Sequence, residues 1–197
     1  IIHQIWLGDQ SLRPVKLMET WKKVNPEWEY KLWTEENLPS IVNQNHFDNY
    51  GSNYVGKANI LRYEILQQFG GFYIDADSKA LEPLDDSLLN HNSFACWENE
   101  KYRTGIISNG YFASEKNSYT VTKLINEIKS FDEIIVKNIS GWRISGVMLL
   151  SNIYKQFEKV NDYDIKINKL EDIIKVSNDN INKLYDSKLP TNILNEL

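Results

Sequence analysis

The chain has 197 residues, 42% hydrophobic and 25% charged, a balance that fits one globular domain over residues 1–197 and excludes a disordered or fibrous chain. Lysine and arginine number 22 against 27 aspartates and glutamates, a net charge of −5 without a basic block, which argues against a nucleic-acid partner. A lone cysteine, Cys96 in the apolar string Phe94-Ala95-Cys96-Trp97, excludes an internal disulfide framework and a cysteine metal knuckle, and no apolar run reaches the length of a membrane span.

Residues 2 to 7 read as a first buried strand, followed by a turn at Gly8-Asp9-Gln10. Ligands of α/β sheets collect at the carboxyl ends of strands, which puts Trp6 and Gly8 where a nucleotide base can lie; Trp6 reads equally well as a core tryptophan. Ser11 is placed to cap a helix running to about Val24, with Trp21 on its buried face and Pro14 in its first turn. Trp28 to Trp33 alternates aromatic and polar residues and predicts a second strand. Thr34 then caps a short acidic helix start, and one more short helix is expected between Ser40 and Asn53.

The next segment carries the chemistry. Lys57 to Phe69 has Leu61, Ile65 and Phe69 at helical spacing, with Gly70 as the stop; Asn59 and Arg62, three apart, share a face. After Gly70-Gly71 the run Phe72-Tyr73-Ile74 predicts a strand that delivers Asp75 and Asp77, one residue apart, to a sheet edge. Two hard oxygen donors on a short element suit Mg²⁺ or Mn²⁺ but are too few to enclose it, so the remaining positions fall to water or to a ligand with its own oxygens. A solvated aspartate pair in a turn is the plain alternative for an isolated Asp-x-Asp.

Beyond Asp77, Ser78 to Leu84 reads as a short strand ending at Pro83, and Ser93 to Glu98 and Tyr111 to Ser114 as two more. Between these lies Gly105-Ile106-Ile107-Ser108-Asn109-Gly110, where Asn109 reads as a turn residue. Helical periodicity marks residues 118 to 130 and 145 to 158, and a strand is expected at Tyr163 to Ile167. Asn138-Ile139-Ser140 matches a glycosylation sequon, a triplet expected by chance in a chain this rich in asparagine. Alternating strand and helix signals define an α/β fold.

Lys57-Ala58-Asn59-Ile60-Leu61-Arg62-Tyr63, then Gly70-Gly71-Phe72-Tyr73-Ile74-Asp75-Ala76-Asp77, together with the opening Ile2-His3-Gln4-Ile5-Trp6-Leu7-Gly8, resembles the DXD-motif glycosyltransferases. These include initiating α-mannosyltransferases, capsular-polysaccharide transferases and, more distantly, the glucosyltransferase domains of large clostridial toxins. The resemblance covers residues 1 to about 115. It implies a GT-A-type, Rossmann-like fold: a mainly parallel central sheet flanked by helices on both faces, with the donor and metal site in residues 1–115 and the acceptor side in 116–197. It implies Mn²⁺ or Mg²⁺ on Asp77 directly and on Asp75 directly or through water, and Asp75, Asp77 and Arg62 as the catalytic set. Trp6, Leu7, Asn59, Arg62, Asp75, Ala76 and Asn109 become the nucleotide-sugar contacts.

The reaction so implied is transfer of a hexosyl group, with retention, from a nucleotide diphosphate sugar to a hydroxyl of a glycan or protein, as in polysaccharide biosynthesis. UDP-hexose is the first donor and GDP-mannose the second. Glu64, Glu98 and Glu100 are candidate covalent nucleophiles, but no second acid is placed as a glycosidase pair requires, which favours front-face attack with the diphosphate taking the proton. A cytoplasmic domain is expected, or a luminal one if an N-terminal anchor was removed. The chain departs from the pattern where many relatives have aspartate for Asn59, a Gly-Pro motif near Gly141 to Gly146, and a closing His or Trp segment where nothing comparable follows Tyr185. A catalytically weak nucleotide-sugar-binding module is therefore the alternative. A DxD phosphatase is disfavoured by Lys79, where Thr or Val is usual.

Overall fold

The computed structural model describes residues 1–99, 101–160 and 166–168. In chain order these form β1 (Ile2–Ile5), α1 (Val15–Val24), β2 (Tyr30–Trp33), α2 (Gln44–Asn49), α3 (Tyr54–Phe69), β3 (Gly71–Ile74), β4 (Ser93–Asn99) and β5 (Arg103–Ser114). They continue as α4 (Tyr119–Ser130), α5 (Glu133–Asn138), α6 (Gly141–Ile144), α7 (Val147–Val160) and β6 (Lys166–Asn168). The strands make one sheet in the order β2-β1-β3-β5-β4-β6. β1 pairs parallel with β2 and β3, and β4 parallel with β6; β5, antiparallel to both β3 and β4, is the reversed strand among those described. This is the mainly parallel sheet expected. Of the strand anticipated at Tyr163 to Ile167, residues 163–165 lie outside the described residues, and Lys166 and Ile167 belong to β6.

Side-chain alternation sends β3 to both faces. Phe72 and Ile74 join Trp21 of α1 in one apolar cluster, while Tyr73 joins Leu61 and Ile65 of α3, Leu124 of α4 and Leu150 of α7 in the other. Both faces are thus covered by helices, as strands apolar on both sides require. β5 carries a bulge: Ala95 pairs with Phe112 but the next residue, Cys96, pairs with Ser108, so Asn109 to Tyr111 have no partner on β4.

Four local expectations are corrected. The first α-helix begins at Val15 rather than at Ser11, because Asp9 accepts from the Ser11 N–H and caps a short 3₁₀ turn, and Arg13 is extended before Pro14. Thr34 initiates a turn, its Oγ1 accepting from Glu36 N. Ser78 to Leu84 is not a strand. Two of its backbone donors are taken by side chains of α1 and its C-cap, Ala80 N by Thr20 and Leu84 N by Asn25 at 2.9 and 2.8 Å. Asn109 lies within β5, not in a turn, and α5 and α6 occupy a region for which no helix was anticipated.

Candidate active site

The site exists because a helix and a strand fold back on one another. Asn53 caps α3, its Oδ1 accepting from Gly56 N at 3.1 Å, and α3 ends at Gly70 with φ +65°. Gly71 follows at φ +105°, where a side chain would strike the Ile1 carbonyl and His3 Nε2. Arg62 is eight residues before this turn, about 12 Å at 1.5 Å per helical residue. Asp75 is four residues after Gly71, about 13 Å at 3.3 Å per strand residue. The two therefore arrive level with each other.

Arg62 is buried, and its guanidinium Nη2 stands 3.4 Å from Asp75 Oδ1. Nη1 donates to the Asn109 carbonyl at 2.5 Å, Nε donates to Ala58 O at 3.3 Å, and the fork lies over the Tyr73 ring at 4.4 Å. Tyr73 O–H donates to Asp75 Oδ1 at 2.7 Å. Burial, first, and the neighbouring negative charge of Asp75 hold the Tyr73 phenol well above its ordinary pKa, so it keeps the proton it donates. Oδ1 of Asp75 is thus committed to the protein, whereas Oδ2 has no hydrogen-bond or ion-pair partner among the described residues and the side chain stays 41% exposed. Gly110 leaves the space that Oδ2 occupies, since a Cβ there would fall on that oxygen.

Asn59, on the same face of α3 as Arg62, is buried. Its Nδ2 donates to Gly141 O at 3.1 Å and its Oδ1 accepts from Asn109 Nδ2 at 3.3 Å; that same Asn109 nitrogen donates to Tyr63 O–H at 3.2 Å. Arg62, Asp75, Asn59 and Asn109 form one connected network. Asp77 sits exposed in a turn closed by Ser78 N–H to Asp75 O at 3.3 Å, because the strand stops at Ile74. Partial desolvation, then the like charge of Asp75, raises its carboxyl pKa. Ala76 between them is buried.

Trp6 is half-buried just past the carboxyl end of β1, its indole N–H donating to Asp9 O at 3.0 Å; Leu7 is buried in the α3-side core. Both stand at the sheet edge that bears the aspartates, since Gln4 of β1 donates to Asp75 O. Of the candidate nucleophiles, Glu64 is directed away from the site. Glu64 is two residues, or about 200° of helix, from Arg62, and accepts instead from Asn43 N at 3.0 Å in the buried interior. Glu98 pairs with Arg103 at 3.0 Å while its charge is still felt by Arg62, and Glu100 lies outside the described residues. Sequence reading passed over Tyr73 and Gly110. Tyr73 had a legible signal, for it precedes Asp75 by two residues and so shares its face of the strand. Gly110 had none, because its neighbour Asp75 is distant in sequence.

The donor set fits a hard divalent ion. Asp75 Oδ2 and Asp77 offer oxygen ligands, and a cation between them relieves the like-charge repulsion. No group of three or more His, Cys, Asp or Glu that could hold a metal stands among the described residues, so the described part of the protein contributes two carboxylates.

The carboxyl edge of the parallel strands, with the aspartate pair after β3 and the buried Arg62 of α3 beside it, is laid out as a GT-A-type fold. Residues 12–95 match the model of the glycosyltransferase sugar-binding region containing the DXD motif, so this stretch is similar to the DXD-motif glycosyltransferases. Inositol phosphoceramide mannosyltransferase 3 of Schizosaccharomyces pombe is 30% identical over 172 residues, covering 82% of this chain and 46% of that protein. Inositol phosphoceramide mannosyltransferase 1 of the same yeast is 28% identical, covering 67% of this chain and 43% of that protein. The chain therefore spans less than half the length of these curated relatives. In fold it is similar to the UDP-bound glycosyltransferase domain of the YGT toxin, with a TM-score of 0.61, 11% identity, and coverage of 99% of this chain and 88% of that one.

Proposed function

We propose that this chain is the donor-binding and catalytic part of a divalent-metal-dependent, retaining hexosyltransferase that uses a nucleotide diphosphate sugar. The observation that carries the reading is the Arg62–Tyr73–Asp75 constellation beside Asp77, which engages one carboxylate oxygen and leaves the other without a partner among the described residues. Mn²⁺ or Mg²⁺ bound at Asp75 and Asp77 supplies Lewis acidity to the departing diphosphate, a contribution of several kcal/mol to the barrier. Arg62 keeps a fixed positive charge at the site, and three of its five N–H groups are engaged by the contacts above. Asn109 has both amide hydrogens engaged, which leaves its Oδ1 to accept from a sugar hydroxyl. With Glu64 turned into the interior and Glu98 paired to Arg103, front-face attack is the reading that needs no protein nucleophile. UDP-hexose remains a candidate donor. The mannosyltransferase names of the relatives favour a mannosyl donor and a hydroxyl of a phosphoinositol-bearing glycolipid as acceptor, beside the glycan or protein hydroxyl.

Hydrolysis and thermal-shift measurements with UDP-glucose, UDP-galactose and GDP-mannose, each with and without Mn²⁺, test this on the wild type and Asp77→Asn. The expected result is one nucleotide that stabilises the chain only with metal and is slowly hydrolysed, both effects vanishing in the variant. Metal-dependent stabilisation without hydrolysis would establish the catalytically weak binding module instead.

A further inference from the structure

Ser78 follows the second aspartate and has no role in the reading above. Its hydroxyl donates to the Asp75 carbonyl at 2.6 Å and accepts from the Trp21 indole N–H at 3.0 Å. The hydroxyl's one hydrogen and one of its two lone pairs are thus used within the protein. The Asp75 carbonyl receives two further donors, Ser78 N at 3.3 Å and Gln4 Nε2 at 3.2 Å, and Gln4 is held in turn by Tyr30 O–H at 2.7 Å. Side chains of β1, α1 and β2 thus converge on a turn of four residues, Asp75 to Ser78, and β5 adds the Gly110 carbonyl, which accepts from Asp75 N at 2.9 Å. Ser78 and Trp21 are buried, whereas Asp77 inside the turn is exposed.

That arrangement meets a specific need. Two carboxylates one residue apart repel each other, and Asp77, exposed on a turn rather than on a strand, would swing away from Asp75 unless its backbone were held. We propose that Ser78 is a positioning residue for divalent-cation binding: by locking the Asp75–Ser78 turn to α1, it keeps Asp77 within reach of the ion that Asp75 Oδ2 addresses. The proposal rests on the metal-dependent reading above. Outer partners that orient ligands commonly contribute 10- to 100-fold to metal affinity.

The test is Mn²⁺ titration of the whole chain, followed by electron paramagnetic resonance, on the wild type, Ser78→Ala, Ser78→Thr and Asp77→Asn. Ser78→Ala is expected to bind Mn²⁺ about 10- to 100-fold more weakly, and Ser78→Thr, which keeps the hydroxyl, to recover most of that loss. Should Ser78→Ala not fold, Trp21→Phe deletes one of the two contacts from outside the site and is expected to weaken Mn²⁺ in the same direction. Affinity unchanged in Ser78→Ala, or in Trp21→Phe where that stands in, would overturn the proposal provided Asp77→Asn loses the ion. So would a threonine variant as weak as alanine. Wild-type affinity in Asp77→Asn would instead overturn the metal reading itself.

Discussion

His3 lies under the Gly70-Gly71 turn, fully buried, and makes stability depend on pH in a way that can be worked out. Its Nε2 donates to Gly70 O at 2.8 Å, and its Nδ1 accepts from the Trp33 indole N–H at 3.2 Å, an arrangement open only to the neutral ring. Burial lowers its pKa from 6.5 to about 4, against the opposing pull of the Gly70 carbonyl. The unfolded chain therefore binds more protons between those values. The stability from the neutral ring is complete above 6.5 and is lost as pH falls toward 4. At about 1.36 kcal/mol per pH unit, the loss comes to about 3 kcal/mol. Urea unfolding of the wild type and His3→Gln at about pH 7, 5.5 and 4 measures it. Glutamine can keep a donor for Gly70 but leaves the Trp33 N–H unpaired, so the variant is expected to be less stable at pH 7 by about 1–3 kcal/mol. That gap should close, and then reverse, as the pH falls to 4. Two stability curves that run parallel across this range would refute the reasoning, since other titrating groups are common to both proteins.

Tyr73→Phe removes one hydrogen bond to an ionised carboxylate, worth about 1.5–3 kcal/mol, and should lower kcat/KM for nucleotide-sugar hydrolysis by about 10- to 100-fold with unchanged circular dichroism. An unaltered rate would show that Arg62 alone holds Asp75. Gly110→Ala places a methyl on Asp75 Oδ2 and is expected to abolish Mn²⁺ binding by calorimetry while the protein stays folded; retained affinity would mean that the carboxylate relocates without loss. Glu64→Gln should stabilise the chain at pH 8 by about 1–3 kcal/mol, because burial raises the Glu64 pKa and its Oε2, like Asn43 Oδ1, has no partner in a buried setting. The benefit should shrink toward pH 5, where the wild-type carboxyl takes up a proton, and hydrolysis should be unaffected; loss of activity would restore Glu64 as a nucleophile.

Local order settled much of this protein in advance. Helical spacing of Leu61 and Ile65, two glycines, a short apolar run and two aspartates are enough to specify a helix, a reversal, a strand and a carboxylate pair, because each follows from backbone propensity within a few residues. Element ends were less legible. Where α1 begins, and whether Ser78 to Leu84 pairs in the sheet, depended on which donor the backbone met first, and those donors came from Asp9, Thr20 and Asn25. What the aspartates do depended wholly on tertiary structure. Sequence placed Asn59 and Arg62 on one helical face, but whether that face looked toward Asp75 rested on the helix and strand lengths either side of Gly70 and on the sheet order. It took the fold to bring Asn109 and Gly110 of β5 against Arg62 and Asp75, through a bulge that leaves no periodic trace. It took the fold, too, to turn Glu64 into the interior and to bring Trp21 beneath Ser78. Spacing along the chain records neighbours within a turn or a strand, such as Tyr73 beside Asp75, whereas Arg62 and Gly110 reach the same carboxylate from α3 and β5, and packing alone decides that they arrive.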